Sequence, residues 1–314
     1  MNNIITLTVN PALDKSTTVA GIVPNKKLRC ASPVFDPGGG GINVSRAIKK
    51  LGGTSLCMYL AGGQTGNHLT NLLTKEGIRQ ETIFIEGWTR DNLSVTDTAT
   101  EQQYRFGMPG PNVSKAEWLN CLEEVEKKLS ENDFLIASGR LAPKMPNDFY
   151  ARLSALAKKK EARLVLDTSG EALKEGAAAG VYLLKPNLGE LSTLLGVTSI
   201  TADELEPLSK KFVKEHHSEV LVVSLGAKGA LLVTKDLCEH IPAPTVHQKS
   251  TVGAGDSMVA GMVFGLANGK SLSEMVRYGV ACGTAATMTP GTELCRKEDV
   301  NRLYEWIVHT NVKN

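Results

Sequence analysis

The chain lacks a strong charge of either sign. Its 35 Lys and Arg against 33 Asp and Glu leave a formal net charge of +2. That is too little for a global field that would gather nucleic acid or a membrane surface, although local basic clusters can still hold a small anion. Long apolar runs are missing too. The longest near-apolar stretch, 258–267, contains two glycines and is far shorter than the roughly 20 residues that span a bilayer. Cysteine is sparse and unpatterned: residues 30, 57, 121, 238, 282 and 295 include no Cys-x-x-Cys pair. The opening Met1-Asn2-Asn3 carries no basic n-region of a secretory leader. Reduced thiols in a cytoplasmic protein, mostly buried as small apolar residues, are therefore expected. Nucleotide fingerprints are absent as well. No Gly-x-Gly-x-x-Gly follows a strand, and the nearest approach to a P-loop, at 265–271, is one residue short and follows a helix. His216 and His217 are adjacent, so they cannot share one helical face as metal ligands.

What is present reads as an ordinary globular chain. It has 314 residues, 42% of them apolar and 22% charged, with 30 Gly and 13 Pro, ample for a sizeable core. Strand-like apolar segments at 4–9, 54–60, 134–137, 164–166 and 220–223 alternate with helical patterns at 43–51, 68–76, 115–129, 148–160, 190–195 and 202–215. Continuous apolar strands separated by helices predict a parallel sheet covered on both faces. Two stretches break this rhythm. Residues 15–35 carry β-branched residues and turn signals without a helix period, and 93–106 alternate as a hairpin turning near Thr100-Glu101. Both are more polar than the buried strands and predict a small antiparallel sheet inserted into the α/β core. With no internal repeat and no low-complexity linker, one domain over 1–314, with an inserted sheet from about 15–35 and 88–107, fits better than two sequential domains.

Two glycine-rich segments carry the chemistry. In Thr251-Val252-Gly253-Ala254-Gly255-Asp256-Ser257 the glycines free the backbone to turn, and an apolar helix follows. Unpaired N–H groups at such a helix start favour an anion, and Asp256 stands where a carboxylate can reach a bound hydroxyl. That pairing of anion donors with a base suits phosphoryl transfer. Taken alone, Asp256 serves equally well as a helix cap. In Pro37-Gly38-Gly39-Gly40-Gly41-Ile42-Asn43-Val44 four glycines abut a helix start. They read either as a flexible hinge or as a close approach of the backbone to a ligand, with Asn43 adding a side-chain hydrogen bond; the helix start favours the second.

These two segments, in this order and about 210 residues apart, resemble the two signatures of the ribokinase/PfkB family of sugar kinases. Further segments agree with the family's phosphosugar branch: Leu7-Thr8-Val9-Asn10-Pro11-Ala12-Leu13-Asp14, Lys27-Leu28-Arg29-Cys30, Gln103-Tyr104-Arg105-Phe106, Ser169-Gly170-Glu171-Ala172-Leu173, Lys185-Pro186-Asn187 and Val223-Ser224-Leu225-Gly226. The resemblance runs from about Ile4 to the C-terminal helix. It implies a three-layer α/β/α ribokinase-like core with a mainly parallel sheet and a small β-sheet lid, and a homodimer joined through that lid.

The resemblance also assigns roles. Asp256 matches the base that takes the proton of the sugar hydroxyl as it attacks the γ-phosphate, and Gly253, Ala254 and Gly255 match the anion hole. Lys185, Asn187 and Glu190 match the segment near the ATP phosphates, with Glu190 acting on Mg²⁺ through water. By itself Glu190 reads as a surface carboxylate. Ser224, Gly226 and Gly229 match the nucleotide-side loop, though the glycines alone read as hairpin turn residues. Asp14, Gly39, Gly40, Asn43 and Gly139 match the sugar side. Arg90 and Arg105 match cations for a sugar phosphate, where arginine offers forked donors; without the resemblance they are solvated arginines of the inserted sheet. Ser250, Val252, Ala286, Thr289 and Gly291 match a loop for a monovalent cation, expected to be K⁺. The implied reaction is ATP-dependent phosphorylation of fructose 6-phosphate at O1, with tagatose 6-phosphate or fructose 1-phosphate as alternative acceptors and a catalytically silent sugar-phosphate-binding regulator as the rival from another class. Two residues depart from the pattern: Arg140 in the 138–143 segment is an added cation, and Glu293 stands where a basic residue is expected.

Overall fold

The structure, a computed structural model, describes residues 3–216, 218–291 and 293–311. Met1 and Asn2 of the opening segment, His217 of the histidine pair and Thr292 beside the cation loop lie outside them. Strand β1 (Ile4–Thr8) shows how the core is built. Ile5 and Leu7 enter one apolar cluster and Ile4 enters another on the opposite face, as the two-residue period of a strand requires. The chain continues through β2 (Ala12–Val19), β3 (Val34–Gly38), α1 (Gly40–Lys50), β4 (Leu56–Ala61), α2 (Gly63–Lys75), β5 (Gln80–Phe84), β6 (Arg90–Asp97) and β7 (Gln103–Phe106). Next come α3 (Lys115–Lys128), β8 (Phe134–Ser138), α4 (Phe149–Lys159), β9 (Arg163–Asp167), α5 (Glu171–Ala178), β10 (Leu183–Leu184), α6 (Leu188–Leu195), α7 (Ala202–His216) and β11 (Val220–Ser224). The last part holds β12 (Ala230–Val233), β13 (Cys238–Ile241), α8 (Ala254–Ala267), α9 (Leu272–Thr287) and α10 (Lys297–Asn311).

Nine strands form one sheet in the order β13-β12-β11-β10-β9-β8-β1-β4-β5. It is parallel from β11 to β5 and antiparallel only at the β12 and β13 edge. One face packs Trp118 and Val125 of α3, Leu153 of α4 and Phe212 of α7. The other packs Val44 of α1, Val259 and Met262 of α8, Val276 of α9 and Ile307 of α10. The three-layer architecture is the one expected. Among the described residues no helix is long and apolar enough to cross a membrane.

A second sheet, ordered β3-β2-β6-β7, stands apart from the core. Its outer pairs are antiparallel, but β2 and β6 pair in parallel from Ala12–Arg90 to Val19–Asp97, which corrects the all-antiparallel expectation. β2 follows β1 and β6 follows β5, and both leave the carboxyl edge of the parallel core sheet, so they set out in the same direction. The β6–β7 hairpin does turn at 98–102, with Glu101 at φ 58°.

Two helices begin earlier than their periodicity suggests. Asn43 N–H donates to Gly39 O at 2.8 Å and Ser257 N–H to Gly253 O at 2.8 Å, so α1 starts at Gly40 and α8 at Ala254. Helix geometry therefore runs into both glycine segments. The glycines of the first are wedged against protein. A Cβ at Gly41 would lie 2.6 Å from Leu7 O, one at Gly40 would overlap Ser138, and one at Gly38 would overlap the Asp14 carboxylate. The run is not a flexible hinge, because Gly38, Gly40 and Gly41 pack closely against the strand ends. Gly41→Ala is therefore expected to lower stability by about 1–3 kcal/mol, as overpacking does. Gly107→Ala, where a Cβ meets nothing within 4 Å, should fall within about 0.5 kcal/mol of wild type. Chemical-denaturation midpoints measure both.

Candidate active site

The carboxyl ends of the parallel strands converge on one crevice, the usual ligand position in open α/β sheets. Ser138 ends β8, Asp167 ends β9, Lys185 follows β10 and Ser224 ends β11. The N-termini of α1 and α8 meet there, where Asn43 Nδ2 donates to Asp256 Oδ2 at 2.9 Å. Asn43 is 8% exposed, and its Oδ1 has no hydrogen-bond partner among the described residues. A buried acceptor of that kind is costly unless something donates to it.

Asp256 lies in the first turn of α8, directly after Gly253, whose φ of 73° belongs to the left-handed region. Burial pushes its carboxyl up from an ordinary value of 3.8 to about 6, and the neighbouring Asp167 adds to the rise. Asn43 and Lys185 oppose it. The buried Lys185 ammonium pairs with Asp167 at 3.1 Å. Burial alone would lower its pKa, but Asp167, with Glu190 and Asp256 farther off, raises it, so the cation persists. Its Nζ lies 3.8 Å from where a Cβ on Gly255 would stand, which brings the cation beside the start of α8. Ala254 N–H makes a long bond to Thr251 O at 3.4 Å. The first-turn N–H groups have no acceptor inside the helix.

On one side of this centre stands Asp14, which accepts from Asn92 Nδ2 at 2.8 Å. Burial raises its pKa, while Asn92 and the charges of Arg90 and Arg105 pull it back. Arg90 donates to the carbonyls of Asn10 at 3.0 Å, Met108 at 3.2 Å and Pro11 at 3.4 Å. A guanidinium has five N–H donors, so two remain for a ligand. Asp14, Asn92 and the exposed Arg105 line a cavity of about 990 Å³ between the small sheet and the core, with Val252 and Gly291 on its far wall. Gly139, at φ 111°, donates its N–H to Asp167 O at 2.9 Å. Lys27 is exposed on the loop between β2 and β3.

On the other side Asn187 caps α6 reciprocally with Glu190: Glu190 N–H donates to Asn187 Oδ1 at 2.9 Å, and Asn187 N–H to Glu190 Oε2 at 2.8 Å. Asn187, Ser224 and Gly226 line a groove of about 680 Å³. Gly226 and Gly229 have φ of 59° and 94°, and a Cβ at Gly229 would overlap Ile241 O. The turn thus demands those glycines whatever binds beside them. The segments matched to a cation loop are tied to one another by hydrogen bonds. Ser250 Oγ donates to Gly291 O at 3.3 Å and accepts from Val252 N at 3.1 Å, and Thr289 Oγ1 reaches Ala286 O at 2.8 Å. Glu293 pairs with Arg296 at 2.6 Å, so its charge is partly neutralised.

The sequence reading missed Asp167, the partner of Lys185, and Asn92, the partner of Asp14. A carboxylate closing the apolar run Leu164-Val165-Leu166-Asp167 is a signal of the first. Asn92 stands in the segment 88–92 that shares the family resemblance, but only register across β2 and β6 sets it opposite Asp14.

The sequence profile described as "pfkB family carbohydrate kinase" matches residues 8–299. The chain is 43% identical over 308 residues, 98% of its length, to ATP-dependent 6-phosphofructokinase isozyme 2 of Escherichia coli (strain K12), 99% of which is covered. Two solved structures of phosphofructokinase-2 from Escherichia coli are similar over 98% of this chain and 100% of theirs. The complex with potassium superposes with a TM-score of 0.95 at 42% identity, and the complex with fructose-6-phosphate with 0.92 at 41%.

A carboxyl whose pKa the fold raises makes the native state less stable once pH exceeds that pKa, and the penalty vanishes below the unfolded value. Asp256→Asn is thus expected to stabilise the protein at pH 8 by roughly 2–3 kcal/mol, at about 1.4 kcal/mol per pKa unit. The gain should shrink as pH falls from about 6 toward 4. Urea denaturation of both proteins at pH 8 and pH 5 measures the difference.

Proposed function

We propose that this chain, which belongs to the pfkB family of carbohydrate kinases, transfers the γ-phosphoryl group of ATP to O1 of fructose 6-phosphate, giving fructose 1,6-bisphosphate. The observation that carries this reading is Asp256 at the start of α8. It is a carboxylate tuned to about 6, held by Asn43 and set at a helix terminus able to receive an anion. A base must lie near the working pH to accept a proton and still be ionised. Asp256 takes the O1 proton, while the N–H groups of Gly253, Ala254 and Gly255 face the transferring phosphoryl. Lys185, kept charged by Asp167, counters negative charge at the same place. Asp14, Gly39, Gly40, Asn43 and Gly139 orient the sugar. Arg90 and Arg105 hold its phosphate, which favours a phosphorylated ketohexose over a free sugar.

Lys185, Asn187, Ser224, Gly226 and Gly229 form the nucleotide side. The hard oxygens of Glu190 and Asn187, at the edge of a cavity of about 600 Å³, suit a hydrated Mg²⁺ carried by ATP. Bound there, Mg²⁺ would offset the charge of the phosphates. The carbonyl and hydroxyl oxygens around Ser250, Val252, Ala286, Thr289 and Gly291 are the donor class for K⁺, and the potassium complex of the Escherichia coli relative supports that assignment. The four buried cysteines among six free ones support a cytoplasmic setting.

The small sheet acts as a lid and as the contact of a homodimer. Tyr104 and Phe106, two residues apart on β7 and so on one face, are 38% and 49% exposed, and an uncovered apolar face of this kind is relieved by a symmetric partner. Because the sheet also carries Arg105 and Asn92, dimerisation and sugar binding should be linked. On dilution, sedimentation should show dissociation accompanied by a rising KM for the sugar. A monomer with unchanged KM at assay concentration would make the sheet a self-contained lid.

A coupled ADP-release assay across fructose 6-phosphate, tagatose 6-phosphate, fructose 1-phosphate and free fructose tests the reaction. Fructose 6-phosphate is expected to give the highest kcat/KM, with kcat falling below about pH 6 as Asp256 becomes protonated. Asp256→Asn should reduce kcat by a factor on the order of 10²–10⁴ while ATP still binds. Near-normal turnover in that variant would remove Asp256 from its role.

A further inference from the structure

We propose that Arg140 is a third guanidinium on the sugar's phosphate, joining Arg90 and Arg105 and strengthening this chain's grip on phosphorylated acceptors. The inference rests on the reading of Arg90 as a phosphate ligand. It adds a residue that departs from the family's pattern.

The backbone on both sides of Arg140 is pinned. Before it, Gly139 O accepts from Tyr150 OH at 2.8 Å and from Thr168 Oγ1 at 2.8 Å. After it, Leu141 O accepts from Asn10 Nδ2 at 3.2 Å. Asn10 also binds Arg90, through its carbonyl, at 3.0 Å. One buried residue therefore ties the segment bearing Arg140 to the guanidinium of Arg90. The two cations are close enough that the charge of Arg140 adds to burial in lowering the pKa of Arg90. Like charges brought together at a crevice favour an anion between them.

Arg140 is exposed and makes no ion pair among the described residues. Arg140 edges the cavity that Asn187 and Glu190 also line, and the carboxylates of that cavity are Glu171 and Glu190. Glu171 is paired with Lys174 at 2.7 Å, and Glu190 Oε2 is taken by Asn187 N–H. Asp14 is the carboxylate nearest Arg90 by its effect, and Asn92 already donates to it. The free fork of Arg140 and the two spare donors of Arg90 are of the kind that phosphate oxygens accept.

The test compares wild type with Arg140→Ser, Arg140→Lys and Arg90→Ala, using whichever phosphorylated acceptor wild type turns over best. Arg140→Ser removes a charge-assisted hydrogen bond and should raise KM for that acceptor roughly 10–100-fold, with KM for ATP within about twofold. Arg140→Lys should recover part of that affinity, because it restores charge without the fork. The dependence of acceptor KM on salt should also flatten in Arg140→Ser. Unchanged acceptor KM in Arg140→Ser overturns the proposal. So does a rise confined to KM for ATP, which would place Arg140 on the nucleotide. If wild type prefers a free sugar, the reading of the reaction fails separately, and Arg90→Ala then shows no acceptor effect either.

Discussion

The hydrogen bond from Asn43 to Asp256 joins two helix starts, and the rest of the site depends on those starts meeting. α1 and α8 lie far apart in sequence, and each approaches the strand ends through a glycine segment. The first segment packs against Leu7, Thr8 and Ser138 so tightly that side chains are excluded. This close packing brings Asn43 within reach of a carboxylate 213 residues away. Loosening either start would move the donor and the base independently, and a base misplaced by an ångström loses much of its value.

Burial then tunes what the packing has assembled. Asp256, Asp167 and Lys185 share a crevice with two negative charges and one positive. Lys185 pairs directly with Asp167, which leaves Asp256 to carry the desolvation cost and holds its carboxyl near 6. The same three residues give a charged lysine and a carboxylate that is ionised at neutral pH, as the proposed phosphoryl transfer requires. Asp14 follows a similar logic on the sugar side, raised by burial and restrained by Asn92 and two arginines.

The small sheet supplies what the core lacks. Its central parallel pair places Asn92 opposite Asp14, and its outer strand carries Arg105. The arginines proposed for the sugar phosphate thus stand on or beside the small sheet, whereas Asp256 stands on a helix of the core. Arg140 belongs to the core, on a loop clamped by Tyr150, Thr168 and Asn10. A phosphate held between Arg90 and Arg140 would therefore be gripped across the seam between sheet and core.

Much of this was legible in the sequence because it is local. The apolar strands at 134–137 and 220–223 announce themselves by composition, and Gly253 to Asp256 by the turn and the anion-favouring helix start they imply. Positions were less legible where tertiary packing overrides local preference. The helix periods begin at 43 and 258, yet packing extends α1 back to Gly40 and α8 to Ala254. The short β10 and the edge strands β12 and β13 gain their identity only from neighbours. The parallel pairing of β2 with β6 follows from the direction in which each leaves the core sheet, which neither segment encodes alone. The sequence by itself determined which residue types are available: a carboxylate after a glycine turn, a lysine before a helix cap, and arginines in a polar insertion. Only the tertiary structure decided that Lys185 pairs with Asp167, that Asn43 holds Asp256, and that Asn10 links Arg90 to Arg140. Those pairings span tens to hundreds of residues, and no local propensity reaches across such distances.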